Sequence, residues 1–398
     1  MSWHQIELGS ALHVKHGFAF KGEFFSSAGE YMVLTPGNFL EEGGFRVRDG
    51  KERFYHGDIP EAYILEENDL IIAMTEQGEG LLGSTARVPE SKKYLHNQRL
   101  GLVQRIDKSK LDTGFLYWLL NSSSVRGQIR SSATGAKVKH TAPERIYKVK
   151  VQIPVEVAEQ AQIAQFLDAY DDLIAANQRH IQLLEESARL LYREWFIKLR
   201  FPNHEQTKII DGIPEGWSKQ PFDALAEIVM GQSPKSEFYN EDGQGLPFHQ
   251  GVTQFGERFV TDTIFTTEYS RESEAGDILC SVRAPVGRLN ITCNKIAIGR
   301  GLSAMRSRFG WQSLLFYQLK DYFVQEDMIG GGAIFASVSK KELFSQELLQ
   351  PTDEVADSFD RFAKQFDEQI EALARQNVRL RQARDALLPK LMSGELRV

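Results

Sequence analysis

Apolar positions follow two rhythms along this chain. In two long stretches they step by three and four: Leu167, Tyr170, Ile174, Asn177, Ile181, Leu184, Ala188, Leu191 and Trp195, then Ala363, Phe366, Ile370, Leu373, Asn377, Leu380, Arg384, Leu387 and Leu391. The second set is the first displaced by a constant 196 positions. Steps of three and four kept up for nearly four heptads predict a coiled-coil helix in each stretch, a sharper signal than ordinary amphipathicity. Elsewhere the apolar runs are short and bounded by glycine. They predict strands over 69–73, 100–106, 277–282, 289–293 and 302–306, with short helices over 114–121 and 311–319.

The repeat reaches upstream of the helices in the same order. Leu65-Glu66-Glu67-Asn68-Asp69-Leu70 is answered by Glu274-Ala275-Gly276-Asp277-Ile278-Leu279, each followed by an apolar strand and a glycine turn. Gln98-Arg99-Leu100-Gly101-Leu102 is echoed by Gly299-Arg300-Gly301-Leu302, and Thr134-Gly135-Ala136 by Gly331-Gly332-Ala333. Pro154 and Pro351 each stand just ahead of a long helix, where proline suits a strand end or a helix start. One unit is thus a mixed domain of about 150 residues with an appended helix of about 40. The expected division is a first globular domain over 1–153, a helix over 154–200, a connector over 201–212, a second domain over 213–351 and a second helix over 352–398. The fold class is α+β, with each domain built around a twisted, partly closed sheet.

With 398 residues, 42% hydrophobic and 25% charged, the chain can bury two ordinary cores without disulfides or metal. No run is long enough to span a bilayer, Met1-Ser2-Trp3-His4 starts no signal peptide, and the two cysteines, Cys280 and Cys293, form no metal motif. A cytoplasmic address is the simple expectation. The net charge of −7 hides a strong asymmetry. Between 126 and 150 stand Arg126, Arg130, Lys137, Lys139, Arg145, Lys148 and Lys150 against Glu144 alone, while acids such as Asp168, Asp171, Asp172, Asp357, Asp360 and Asp367 gather in the helices. This suits nucleic-acid contact by the domain and protein contact by the helices. The plainer alternative is a solvated face with one lysine-protected sheet edge.

Catalytic signals are thin. Gly78-Glu79-Gly80-Leu81-Leu82-Gly83 fits the dinucleotide pattern, but a β-like run ending in Pro89 follows it where a phosphate-binding helix should start. Glu79 would also set an anion against the phosphates, and the corresponding turn, Ala284-Pro285-Val286-Gly287-Arg288, lacks the pattern. A tight turn between strands is expected instead. No Walker loop is present, no tetrapeptide of the kind that holds a flipped adenine, and no metal-nuclease signature. His4, His13 and His16 read as surface or strand residues, not ligands. The chain reads as a binder with no catalytic residues, cofactor or metal of its own.

Four segments carry a resemblance. They are the opening His16-Gly17-Phe18-Ala19-Phe20-Lys21-Gly22-Glu23-Phe24-Phe25, the second opening Met230-Gly231-Gln232-Ser233-Pro234-Lys235-Ser236, the run Gly245-Leu246-Pro247-Phe248-His249-Gln250-Gly251, and the close Leu387-Leu388-Pro389-Lys390-Leu391-Met392-Ser393-Gly394-Glu395-Leu396. In these, and in the doubled unit across its whole length, the chain resembles the specificity subunit of type I restriction-modification systems. The resemblance implies two target recognition domains, each reading one half of a split, asymmetric DNA site, and two long helices packed antiparallel as a spacer. It also implies two methyltransferase subunits docked on the helices, which methylate adenine with S-adenosylmethionine, and optional endonuclease-translocase subunits. A seam from Leu167 to Trp195 is roughly 40 Å long at about 1.5 Å per residue, enough to match one DNA turn of about 34 Å. One departure concerns the loop Thr134 to His140, whose second counterpart, Gly330 to Phe335, has no lysine.

If Asn177 faces Asn377 in an antiparallel pair, Ile174 meets Leu380, Ile181 meets Leu373, Leu184 meets Ile370 and Leu167 meets Leu387. A buried Asn pair fixes register at a cost in stability; the other placement leaves both at a solvated edge. For DNA, Arg and Lys suit guanine and phosphate, and Asn and Gln suit adenine. The first domain offers Lys15, Lys21, Arg99, Lys137, Lys139 and His140, the second Gln232, Lys235, Gln250, Arg283, Arg288 and Arg300. Arg99 and Arg300 have a structural alternative, since they recur at one place in the repeat. The functional alternative for the chain is a two-domain coiled-coil scaffold or adaptor that reads no DNA.

Overall fold

A computed structural model describes residues 2–48, 50–78, 80–325 and 346–398. The chain divides into two compact units, Met1–Asn177 with Arg375–Val398, and Gln178–Ala374. The loop 330–335, set against 134–140 in the sequence, lies outside the described residues.

In the first unit, a four-stranded antiparallel sheet runs in the order His13–His16, Leu100–Gln104, Leu70–Ala73, Thr85–Arg87. All of Leu70, Ile71, Ile72 and Ala73 are buried. Side chains alternate across a strand, so Leu70 and Ile72 enter a core shared with the helix Thr113–Asn121, while Ile71 and Ala73 enter a second core with Tyr94 and Leu100. This explains why the run is apolar throughout instead of alternating. A smaller sheet joins Tyr31–Val33 to Tyr94–Leu95 in parallel, and the first strand, Trp3–Glu7, closes against Lys150–Pro154. Asp112 starts the helix Thr113–Asn121 by accepting the Phe115 N–H at 2.8 Å, a side-chain cap of an otherwise unpaired donor.

The second unit repeats this plan. Its four-stranded sheet has the order Ala226–Met230, Leu302–Ser307, Ile278–Ser281, Leu289–Ile291, with Ile278 and Cys280 facing one core and Leu279 another. Phe248 pairs in parallel with Ala297, and Ser218–Pro221 closes against Glu347–Gln350. The sequence echo before the central strands is one turn made twice. Asp69 accepts the Glu66 N–H and Asp277 the Glu274 N–H, both at 2.9 Å. The residue before each aspartate has positive φ, Asn68 at 66° and Gly276 at 87°, the backbone region Asn and Gly tolerate best.

The long helices run Val157–Tyr192, extended by a π turn over Arg193–Ile197, and Asp353–Ser393. Their first and last turns belong to different units, so each unit has segments of both. In the first unit Leu167 is buried in the main core with Leu391, and Arg384 bonds Asp171. In the second, Ile181, Leu184 and Ile370 form a buried layer with Leu373 against it.

Candidate nucleic-acid interface

Glycine packing builds one turn in each unit. In the first, the Gly17 N–H donates to Leu100 O and the Leu100 N–H closes back on Asn97 O at 2.9 Å. A Cβ on Gly17 would lie 1.9 Å from Asn97 O, so only glycine admits the turn. In the second, the Gly231 N–H donates to Leu302 O, the Leu302 N–H closes on Gly299 O, and a Cβ on Gly231 would lie 2.1 Å from Gly299 O. These bonds place Gln98 opposite Arg300, and Arg99 opposite Gly301. The expectation that Arg99 and Arg300 occupy one place is therefore off by one residue: matching arginine to arginine ignores the backbone bonds that define the turn.

Around the first turn, a groove of about 540 Å³ is lined by Arg48, Lys51, Arg53, Gln77, Arg99 and His140 among others. Arg99 is exposed, and its N–H donates to Asn97 Oδ1 at 3.0 Å. His140 and Lys139 form a short strand against Thr75 and Glu76, and Gly135, at φ 100°, lets Thr134 bond back to His140. His140 Nδ1 sits 3.1 Å from Thr75 Oγ1. Lys137 is exposed at the tip of that hairpin, and Lys21 is exposed ahead of the turn Gly22–Phe24. Lys15 is half-buried and differs from these. Its ammonium donates to Ala62 O at 2.5 Å and lies 4.1 Å over the Tyr63 ring, so its donors are partly committed inside the fold.

In the second unit the structure brings Gln232, Gln250 and Arg300 together. The Gln232 N–H donates to Ile298 O, Gly301 N donates to Gln250 O, and Arg300 N donates to Ser233 Oγ, while all three side chains stay exposed. Lys235 is exposed and paired with Glu237 at 3.5 Å. Arg283 and Arg288 flank the turn after Ile278–Ser281, both exposed.

The glycine run 78–83 has no helix after it; Thr85–Arg87 is a strand. Three of its N–H groups, those of Gly80, Leu82 and Gly83, are already bonded within the protein. Buried Glu76 accepts from Gly80 N at 3.2 Å and Leu82 N at 2.8 Å, so a carboxylate of this chain sits where a phosphate would have to bind. Arg126 donates to Glu41 O and Gly80 O and is 8% exposed. That removes it from the basic face expected over 126–150. Among the described residues, no three His, Cys, Asp or Glu side chains are placed to hold a metal, and no helix is long and apolar enough to cross a membrane.

Residues 2–186 match the family model of the type I restriction modification DNA specificity domain. A relative from Methanocaldococcus jannaschii, named for the type I restriction enzyme MjaX specificity subunit, is 31% identical over 310 residues, covering 76% of this chain and 72% of the relative. The chain belongs to the type I restriction-modification specificity subunits. The MjaIX specificity subunit of the same organism is 24% identical, covering 75% of this chain and 72% of its own. A crystal structure of the type I restriction-modification system S subunit from M. genitalium matches 98% of this chain and 96% of its own with a TM-score of 0.60 at 16% identity, a likeness of fold.

In this specificity subunit, sequence reading missed Arg48, Lys51, Arg53 and Gln77. A signal existed: Arg46-Val47-Arg48-Asp49-Gly50-Lys51-Glu52-Arg53 holds four cations in eight residues. The interspersed acids diluted it, and only folding sets it beside Arg99. Asn177 and Asn377 are both buried, with Asn177 Nδ2 donating to Asn377 Oδ1 at 2.9 Å and Asn377 Nδ2 to Ile174 O at 3.4 Å.

Near the same turn, His96 is fully buried and bonds Leu100 O at 2.9 Å. Burial lowers its pKa to about 4 from the ordinary 6.5, against the carbonyl bond that favours the charged form, with Lys15 and His16 adding to the lowering. The unfolded chain takes up a proton below 6.5 that the folded one refuses. Stability is therefore full above that pH and falls on acidification towards 4, by up to about 1.4 kcal/mol per pH unit. Urea unfolding at pH 7.5 and pH 5.0 should show His96→Phe losing roughly 2 kcal/mol less than the parent between the two. Equal losses would remove His96 as the cause.

Proposed function

We propose that this specificity subunit reads a bipartite, asymmetric DNA site, one half with each unit, and positions two methyltransferase subunits that methylate adenine with S-adenosylmethionine. Endonuclease-translocase subunits can join the same complex, the chain itself is non-catalytic, and the address is cytoplasmic. One observation carries the reading: each unit holds a glycine-locked turn at the same edge of the same four-stranded sheet, presenting Gln98 and Arg99 in one case and Arg300 with Gln232 and Gln250 in the other. Equal scaffolds with different exposed side chains suit two readers of different half-sites. The domains are proposed over 1–153 and 213–351, with the first spacer helix over 154–200, the connector over 201–212 and the second spacer helix over 352–398.

The long helices act in this reading as an antiparallel coiled coil that sets the gap between half-sites, with Asn177 and Asn377 fixing its register. Replacing both by leucine is expected to raise stability by about 1–3 kcal/mol, since two buried amides give way to apolar packing. It should also broaden the tolerated spacer length. Unchanged melting together with an unchanged spacer would refute the register role.

The deciding experiment expresses the chain with a methyltransferase subunit from the same source and maps methylated adenines across a genomic library by single-molecule sequencing. A split asymmetric motif with a fixed gap is expected. A stable complex that methylates no such motif would refute the reading and favour the adaptor alternative.

A further inference from the structure

We propose that the groove of the first unit seats one half-site: Arg99 and Gln77 address base edges, and Arg48, Lys51 and Arg53 hold the phosphates of one strand. This rests on the DNA-reading function above and assigns four residues to it that the sequence pattern did not single out.

Charge is the first argument. Four cationic side chains and one carboxylate, Glu52, line the groove. Among the described residues none of the four cations forms an ion pair, with Glu52 or with any other carboxylate. Unpaired like charges gathered around about 540 Å³ repel one another, and a polyanion threading between them relieves that repulsion.

Side-chain chemistry is the second. A guanidinium and a carboxamide are the two groups that read guanine and adenine bidentately in the major groove. Here both stand on held backbone. Arg99 leaves a turn closed by Asn97 and locked by Gly17, and Gln77 precedes Gly78, at φ 122°, just after the strand Thr75–Glu76, itself paired with Lys139 and His140. Rigid placement is what discrimination between bases requires. On the phosphate-holding side the Arg48 guanidinium lies against Gly37, where a Cβ would come 2.4 Å from its Nη1.

The two roles separate in one experiment on the complex reconstituted with its methyltransferase subunits and a duplex carrying the parent motif. Lys51→Ala with Arg53→Ala should keep the motif, weaken binding about 10- to 100-fold near 0.15 M salt, and reduce the slope of log affinity against log salt by about 2. Both residues are exposed, so folding is not at risk. Gln77→Ala should leave the slope unchanged and relax one base position in one half-site, the other half staying intact. An unchanged slope in the double variant with an unchanged motif in Gln77→Ala would overturn the proposal while leaving the function standing. A parent complex that shows no split motif at all would overturn both.

Discussion

Arg258→Ala is expected to destabilise the second unit by about 3–5 kcal/mol, the range for stripping one partner from a buried charge cluster. Arg258 is 3% exposed. Its guanidinium donates to Asp367, reaches Glu185 at 3.4 Å and Tyr317 Oη at 3.3 Å, and stacks 4.2 Å over Phe316. Burial works against its charge, yet Asp367, Tyr317 and Glu185 together hold its pKa above the ordinary value. One side chain therefore ties the globular part of this unit to both long helices within it. The next residue, Phe259, packs on the helix layer of Ile181, Leu184 and Ile370. Hydrogen exchange of peptides from 178–374 should report the loss, with peptides from 1–150 unchanged. Replacing Arg258 by Met together with Asp367 by Leu should recover much of it, because swapping a whole buried pair for apolar groups is often neutral. A change under 1 kcal/mol in the single variant would mean that solvent, not the cluster, satisfies Arg258.

Gly231→Ala is expected to remove recognition of one half-site while leaving the other. The added methyl would meet Gly299 O, a backbone atom that cannot swing aside, so the turn carrying Arg300 must move. Overpacking of this kind costs about 1–3 kcal/mol in stability, and a lost bidentate contact costs about as much again in discrimination. Binding to the parent site should fall roughly 10- to 100-fold with non-specific binding retained. Gly17→Ala, whose methyl would meet Asn97 O, should do the same to the opposite half. Methylation maps of the two variants read the outcome directly. Complementary half-motifs support the two-reader arrangement, and two intact parent motifs contradict it.

Gly231 and Gly17 stood in the sequence inside the very segments that carry the family resemblance, yet nothing in their spacing said what they touch. The contacts run to residues about 70 and 80 positions away, and sequence periodicity carries no information over such distances. The same holds for the arginines. Arg99 and Arg300 look equivalent in a linear alignment, and hydrogen bonding shifts them by one place.

The local and repeating part of this fold is legible in the order of residues alone. The heptad sets place the two long helices, because a buried seam on a helix must recur every three and four residues whatever surrounds it. The apolar runs at Leu70–Ala73 and Ile278–Ser281 announce central strands, since a strand covered on both faces has no polar side to show. The Asp69 and Asp277 turns are equally local, each closed within three residues. Which cations face outward together emerges with folding. Arg126 sits in the most basic stretch and is buried on backbone carbonyls, while Arg48, Lys51 and Arg53, diluted by acids in the sequence, line one groove with Arg99. Charge acts through space, and the chain order of lysines and arginines does not record which of them folding gathers around one groove.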